Sequence, residues 1–388
     1  MSQADAVVVG GGILGASVAH FLVKEGLGRI VLLEKNELCT GATAYSAANV
    51  RQHYSNPVGI ELALRGLAMF ENAEEELGGP VGFVQCGYMV IAPVEQAAAL
   101  RSVVPEQQRL GVETELLSAE EIGSLFPELQ LEDVALGALE PRSGYADPRM
   151  TVLALVRSAE RLGLQVHEHT EVIDIEIEDG RVTGVTTSDG RISTNVVVNA
   201  AGPWAARVGA MVGIEYDLSL SREHEVVVEL PPDFRSIPIV SDPGQSLYFR
   251  PHRDNLMLVG EGYPKEQEPC DPDTYNHRAD EVNIERMLNR LNHRVPRMVS
   301  PRRAGDYAGV YSITEDWYPI VGAEPTVQGY FAAVGGSGHA FKIGPPIGEA
   351  LAAVIAGREP DIDIASLERG RFERNERFAS VWGPGNRA

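Results

Sequence analysis

Cysteine is scarce in this chain: three residues, Cys39, Cys86 and Cys270, among 388. They lack the short paired spacing of a metal site, and an odd number leaves one thiol outside any disulfide framework. A reducing cytoplasm is therefore the expected compartment, and no metal ligand set is expected. Basic residues are also outnumbered, 33 against 55 acidic ones, for a formal net charge of −22. That balance argues against nucleic acid or an anionic membrane as the main partner, but not against a local basic site for a small anion. Long hydrophobic runs are missing too. The apolar stretch from Ala6 to Val23 is interrupted by Gly10, Gly11, Gly12, Gly15 and His20 and follows no basic segment. Neither a membrane span nor a signal peptide is expected there.

With 44% hydrophobic and 23% charged residues the composition is that of a globular protein. The length exceeds a typical single core, so two domains, or one with a large insertion, are expected. The stretch "DAVVVGGGILGASVAHFLVKEGLGRIVLLEKN" reads as strand, glycine turn, helix and second strand. Within it, Gly10-x-Gly12-x-x-Gly15 joins the first strand to the helix. Gly10 permits the tight turn, Gly12 lets backbone approach a pyrophosphate, and Gly15 lets helix and sheet pack closely. Ile13 and Leu14 open the helix, whose N-terminal N–H groups attract phosphate. Glu34, ending the second strand, is placed to accept hydrogen bonds from an adenosine ribose. FAD or NAD fits that carboxylate better than NADP does.

Further along, helical spacing covers 57–79 and about 94–110, and a helix restarts near Pro148. Asp179-Gly180 and Asp189-Gly190 mark hairpins. "VVVNAAGPWA" is a buried strand running into a small-residue turn, and 216–318 is β-rich with one helix near 280–291. The tail "GYFAAVGGSGHAFKIGPPIGEALAAVIAG" is strand, glycine turn and helix. The nucleotide signals thus fall in three separated pieces. We expect an α/β plus antiparallel-β protein: a discontinuous Rossmann-type domain from 1–80, 145–215 and 319–388, and an inserted substrate domain from 81–144 and 216–318.

Six ordered motifs, "GGGILGASVAHFL", "EKNELCTGATAYSAANVRQHYSNP", "SGYADP", "VVVNAAGPWA", "EDWYPIVGA" and "GGSGHAFKIGPPIGEALA", extend over nearly the whole chain. Together they resemble the D-amino-acid oxidase superfamily of FAD enzymes. The nearest likeness is to its branch of sarcosine oxidase β-subunits, dimethylglycine dehydrogenases and L-proline dehydrogenase β-subunits. The resemblance implies an FAD domain and a substrate domain on a large antiparallel sheet, with the flavin between them. It implies that Gly10, Gly12, Gly15, Glu34 and Lys35 hold the ADP half, with Thr40, Gly41 and Thr43 continuing along the cofactor. Val172 matches a backbone contact to adenine, and Ala200, Ala201 and Gly202 match a turn beside the dinucleotide. Gly336, Gly338, His339, Ala340, Phe341 and Lys342 correspond to the turn that closes on the flavin ring. Relatives usually carry glycine where Ala340 stands.

The same resemblance implies oxidation of a small amino acid at a carbon–nitrogen bond, giving an imine that hydrolyses. Arg51 and Lys342 match a carboxylate clamp, for which a guanidinium fork and an ammonium are suited. His339 either tunes the flavin or hydrogen-bonds within its turn. His53 and Tyr248 are candidates for the pocket wall, Arg250 is an alternative carboxylate ligand, and His224 is read as structural. Where relatives bond flavin covalently through cysteine or histidine, this chain has Gly309, and Tyr45 with its neighbours, so FAD is expected to be non-covalent. Leu258 stands near the position of an oxygen-activating lysine, which points to a dehydrogenase. The electron acceptor is left open among O2, a quinone and a partner subunit, the last in a hetero-oligomer. Sarcosine, dimethylglycine and proline-like substrates lead. D-amino acids or glycine, a 2-hydroxy acid, and a flavin-bearing subunit of a larger assembly are the alternatives.

Overall fold

The chain is described by a computed structural model at residues 2–253 and 255–380. Positions 381–388, included in the expected piece 319–388, lie outside the described residues. A six-stranded sheet carries the nucleotide-type topology. Its order is Gln165–His167, Ile30–Leu33, Ala6–Val9, Val197–Asn199, Tyr330–Val334 and Ile320–Ala323. The first five strands are parallel and the last is antiparallel. Ala6–Val9 and Ile30–Leu33 are buried along their whole length, which is why they read as unbroken apolar runs rather than alternating ones.

One face of this sheet, with Ala6, Val8, Ile30 and Leu32, packs on the helices Ile13–Lys24, Pro57–Glu71, Pro148–Arg161 and Ala340–Ile355. The other face, with Val7, Val9, Val31 and Leu33, packs on the strands Val172–Glu178, Arg181–Thr187 and Gly190–Ser193. Two of the helices start alike. Asn56 and Asp147 accept a backbone N–H from Gly59 at 2.8 Å and Met150 at 2.9 Å, with proline at the first helical position. Asp179 and Gly180, at φ 49° and 77°, form the first expected hairpin turn.

An eight-stranded sheet follows the order Arg303–Ile313, Ser219–Glu229, Leu256–Glu261, Leu247–His252, Ile239–Asp242, Tyr88–Ala92, Leu136–Glu140, Glu115–Ser118. All neighbours are antiparallel except Ile239–Asp242 with Tyr88–Ala92. That seam joins segments far apart in the chain, where no hairpin dictates direction. The helix Glu281–Arg294 covers one face through Ile284, Met287 and Leu291 against Val226, Val228 and Val259. The helix Ala97–Arg109 is present, and a second, Ala119–Leu125, was not anticipated. Its signal was a capping box: Ser118 Oγ accepts from the Glu121 N–H at 3.3 Å, and the Glu121 carboxylate from the Ser118 N–H at 2.7 Å. Tyr88, Val90 and Tyr248 turn away from the Glu281–Arg294 helix, into a cavity they share with His339 and Lys342. The large sheet therefore supplies one wall of the site, and the nucleotide sheet's glycine turns supply the other.

Candidate active site

A long cleft runs from the carboxyl ends of the parallel strands to the edge of the large sheet. It encloses about 1430 Å³ of atom-free space, its open mouth included. At one end, Gly10 has φ +112°, and a Cβ there would lie 2.5 Å from the Ala200 carbonyl oxygen. Gly15 sits behind the turn, where a Cβ would come within 1.8 Å of the Gly10 carbonyl oxygen. Gly12, Ile13 and Leu14 line the cleft at the helix start, and the Thr43 hydroxyl accepts from the Ile13 N–H at 3.1 Å. The Glu34 carboxylate is fixed by the N–H groups of Gly11 at 2.7 Å and Asn36 at 2.9 Å. A helix N-terminus, a backbone cradle with no Cβ and an oriented carboxylate form the donor and acceptor set that a dinucleotide requires.

The other expected cofactor residues distribute as follows. Lys35, Gly41 and Val172 line the cleft, as do Ala200, Ala201 and Gly202. Gly336, Gly338, Ala340 and Phe341 close its far end. Thr40 lines an adjoining cavity instead, its hydroxyl donating to the Glu37 carbonyl at 2.7 Å. The Lys35 ammonium lies 3.9 Å from the Trp204 ring centroid and 2.9 Å from an Asp273 oxygen. Trp204 and Arg207, which also line the cleft, were not singled out in the sequence.

A second cavity abuts the far end of the cleft, with Ser46, Tyr311, Gly338 and Phe341 lining both. Arg51, Lys342, His339 and Tyr248 meet in it. Arg51 forms no ion pair with a carboxylate among the described residues. Its guanidinium carbon lies 4.8 Å from the Tyr54 ring centroid and 5.6 Å from that of Tyr88, and it donates to the His53 carbonyl oxygen. The Lys342 ammonium is 5.4 Å from the Tyr54 ring and donates to the His339 carbonyl at 3.2 Å. Tyr54 thus lies beside both cations, each held partly by an aromatic face. Sequence reading passed over it, because an aromatic beside a helix start has no distinguishing pattern.

The histidines occupy different settings. His339 Nε2 donates to the Trp317 carbonyl at 2.6 Å, and Nδ1 shares a hydrogen bond with the Tyr54 hydroxyl at 2.8 Å. A carbonyl can only accept, so Nε2 carries the proton of that bond. His53 does not line the cavity. It lies buried behind Arg51, where burial and the Arg51 charge push its pKa down to about 3, and Gln107 Nε2 donates to Nδ1 at 3.1 Å. Glu140, 3.8 Å from His53, is pushed up to about 6 by burial, although Ser143 and the Gln52 N–H donate to it. Arg250 is spent elsewhere: it donates to the Ala47 carbonyl at 2.8 Å and stacks 4.1 Å from the Tyr145 ring. His224 bonds Glu268 at 2.8 Å, and Arg222 pairs with both Glu268 and Asp280, so that cluster already holds its own cation.

No helix among the described residues is long and apolar enough to cross a membrane. The mitochondrial sarcosine dehydrogenase of Mus musculus is 30% identical over 98% of this chain, but the match covers 42% of that protein. The chain spans less than half the length of that relative and of rat dimethylglycine dehydrogenase. Glycine oxidase of Geobacillus kaustophilus is 28% identical, over 95% of this chain and 97% of its own length. Among solved structures, L-proline dehydrogenase from P. horikoshii superposes with a TM-score of 0.90 at 27% identity, covering 97% of this chain and 100% of that one. A family model described as FAD dependent oxidoreductase matches residues 5–354, and with that match, on a cleft shaped for a dinucleotide, the chain belongs to the DAO family of FAD-dependent oxidoreductases.

Proposed function

We propose that this chain oxidises a small amino acid, secondary or N-methylated at nitrogen, at its carbon–nitrogen bond. The observation that carries the reading is the junction of the two cavities. The one holding Arg51 and Lys342 opens on the Gly338–Phe341 turn that ends the dinucleotide cleft. Gly10 to Leu14 and Glu34 would hold the ADP end of FAD, and Gly336, Gly338, Ala340 and Phe341 its ring end. Bound there, FAD supplies the acceptor for a hydride equivalent. Arg51 and Lys342 bind the substrate carboxylate and so fix which C–H bond faces the turn. Neither histidine offers a base to a hydroxyl proton: both ring nitrogens of His339 are engaged, and His53 lies behind Arg51. This disfavours a 2-hydroxy acid. Glycine-like primary amines are the second reading, favoured by the match along nearly all of glycine oxidase.

We further propose two domains. The six-stranded sheet draws its strands only from 1–80, 145–215 and 319–388, and the eight-stranded sheet only from 81–144 and 216–318. Leu258, near the position of the oxygen-activating lysine, is an apolar side chain buried in the large sheet, which supports an acceptor other than O2: a quinone or a partner subunit. Anaerobic bleaching of the flavin by N-methyl, cyclic and primary amino acids tests the assignment. Secondary amines should bleach it fastest, and air should restore the colour more slowly than a quinone does. Bleaching by a 2-hydroxy acid alone would remove the amine reading.

Among the described residues, the cleft lining contains neither cysteine nor histidine. At Gly309 a Cβ would come 2.6 Å from that of Tyr45, so the tyrosine fills that space. Acid precipitation should therefore leave all the flavin in the supernatant. Colour retained in the pellet contradicts non-covalent binding.

A further inference from the structure

One row of residues crosses four strands of the large sheet beside the Arg51–Lys342 cavity. Tyr248 pairs with Gly260, Gly260 with Glu225, and Glu225 with Tyr307. Gly260 has no side chain where its neighbours need room: a Cβ there would lie 2.2 Å from the Tyr248 ring. The ring crosses over the glycine, and its hydroxyl donates to Glu225 Oε1 at 2.8 Å. Tyr248 also lines the cavity. Glu225 is 2% exposed, and its second oxygen, Oε2, is buried with no hydrogen-bond partner. An unsatisfied carboxylate oxygen in the interior is costly, and a proton on it removes most of the cost.

We propose that Glu225, acting through the Tyr248 hydroxyl, accepts the proton that the substrate ammonium must lose before oxidation. The inference rests on the amine reading above. In the step, the substrate N–H bond breaks and its proton forms an O–H bond on Tyr248. The original Tyr248 proton passes to Glu225, whose carboxylate becomes a carboxylic acid. No electrons move, and the substrate nitrogen regains its lone pair. Tyr248 touches substrate and is catalytic in this scheme; Glu225 is a positioning residue and proton store.

The surroundings suit the task. Burial, with the nearby Glu223 charge adding to it, pushes the Glu225 carboxyl up to about 8, against the opposing Tyr248 hydrogen bond and the Lys265 and Arg250 charges. Tyr307 and Tyr275 also face it. A base that titrates near working pH has the best balance of available carboxylate and proton affinity.

Stopped-flow bleaching between about pH 6 and about pH 10 tests the relay, with wild type, Glu225→Gln and Tyr248→Phe. Above the Glu225 titration, both variants should bleach about 10²-fold more slowly than wild type. At the acid end, where wild-type Glu225 is already protonated, the three rates should converge. Profiles that run parallel at every pH indicate a merely structural role and overturn the proposal. Tyr248→Phe leaves Glu225 in place and keeps the test open if the glutamine variant does not fold. In the flavin-free protein, infrared titration should show a carboxyl C=O band that titrates near pH 8 and vanishes in Glu225→Gln. Absence of that band from wild type also overturns the relay. If no amino acid bleaches wild type, the amine reading itself falls, and the infrared band separates that failure from an error about Glu225.

Discussion

Replacing Arg51 by alanine should raise the apparent substrate Kd by about 10²-fold or more while leaving flavin content unchanged. Hydrogen bonds to charged groups contribute about 1.5–3 kcal/mol, and each 1.4 kcal/mol is tenfold in affinity. The guanidinium lines the second cavity and not the dinucleotide cleft, so substrate and cofactor effects should separate. Arg51→Lys keeps the charge but loses the planar fork, and should fall between wild type and Arg51→Ala. Flavin-bleaching titrations with a bound and a truncated substrate read the difference. If the alanine variant titrates like wild type, Arg51 is not part of the carboxylate clamp. Lys342 should show a smaller loss, since an ammonium offers the carboxylate a point charge and no planar fork.

Gly15→Ala should cost about 3 kcal/mol or more and empty the protein of flavin. The added methyl would stand 1.8 Å from the Gly10 carbonyl oxygen, a backbone atom with no freedom to retreat. Gly10 is itself held by its N–H bond to the Leu33 carbonyl at 2.8 Å and abuts Ala200 on its other side. Relief requires lifting the helix Ile13–Lys24 off the sheet, which opens the phosphate end of the cleft. The control is Gly123→Ala, where the nearest atom to a new Cβ is 3.5 Å away, within the helix Ala119–Leu125. That change should be neutral or stabilise by about 0.5–1 kcal/mol, because alanine loses less backbone entropy than glycine. Thermal melts with a flavin-release assay distinguish the two. Wild-type Tm and full flavin in Gly15→Ala would show that the turn adapts, contrary to its packing.

Much of the nucleotide half was legible residue by residue. Parallel strands buried on both faces leave continuous apolar runs, and a tight turn into a helix leaves glycines at fixed offsets. Helix starts at Asn56-Pro57 and Asp147-Pro148 are local chemistry, and so is the Asp179-Gly180 turn. The overlooked helix Ala119–Leu125 was equally local, its capping box spelled out by Ser118 and Glu121. In each case the deciding interaction reaches only a few residues along the chain.

The second cavity is of another kind. Arg51, Tyr88, Tyr248 and Lys342 come from four distant stretches, and only the crossing of the large sheet over the terminal glycine turn brings them together. Sequence reading could name Arg51 and Lys342 by resemblance. It could not show Arg250 committed to the Ala47 carbonyl, His53 hidden behind Arg51, or Tyr54 beside both cations. Nor could it pair Tyr248 with Glu225 across Gly260, since that register belongs to three strands at once. By itself the sequence determined most of the elements and the dinucleotide turn, set by near neighbours along the chain, and the family, through motifs read in order. Only the tertiary structure decided which buried charges face the cavity, because burial and partner choice are properties of residues brought together from far apart.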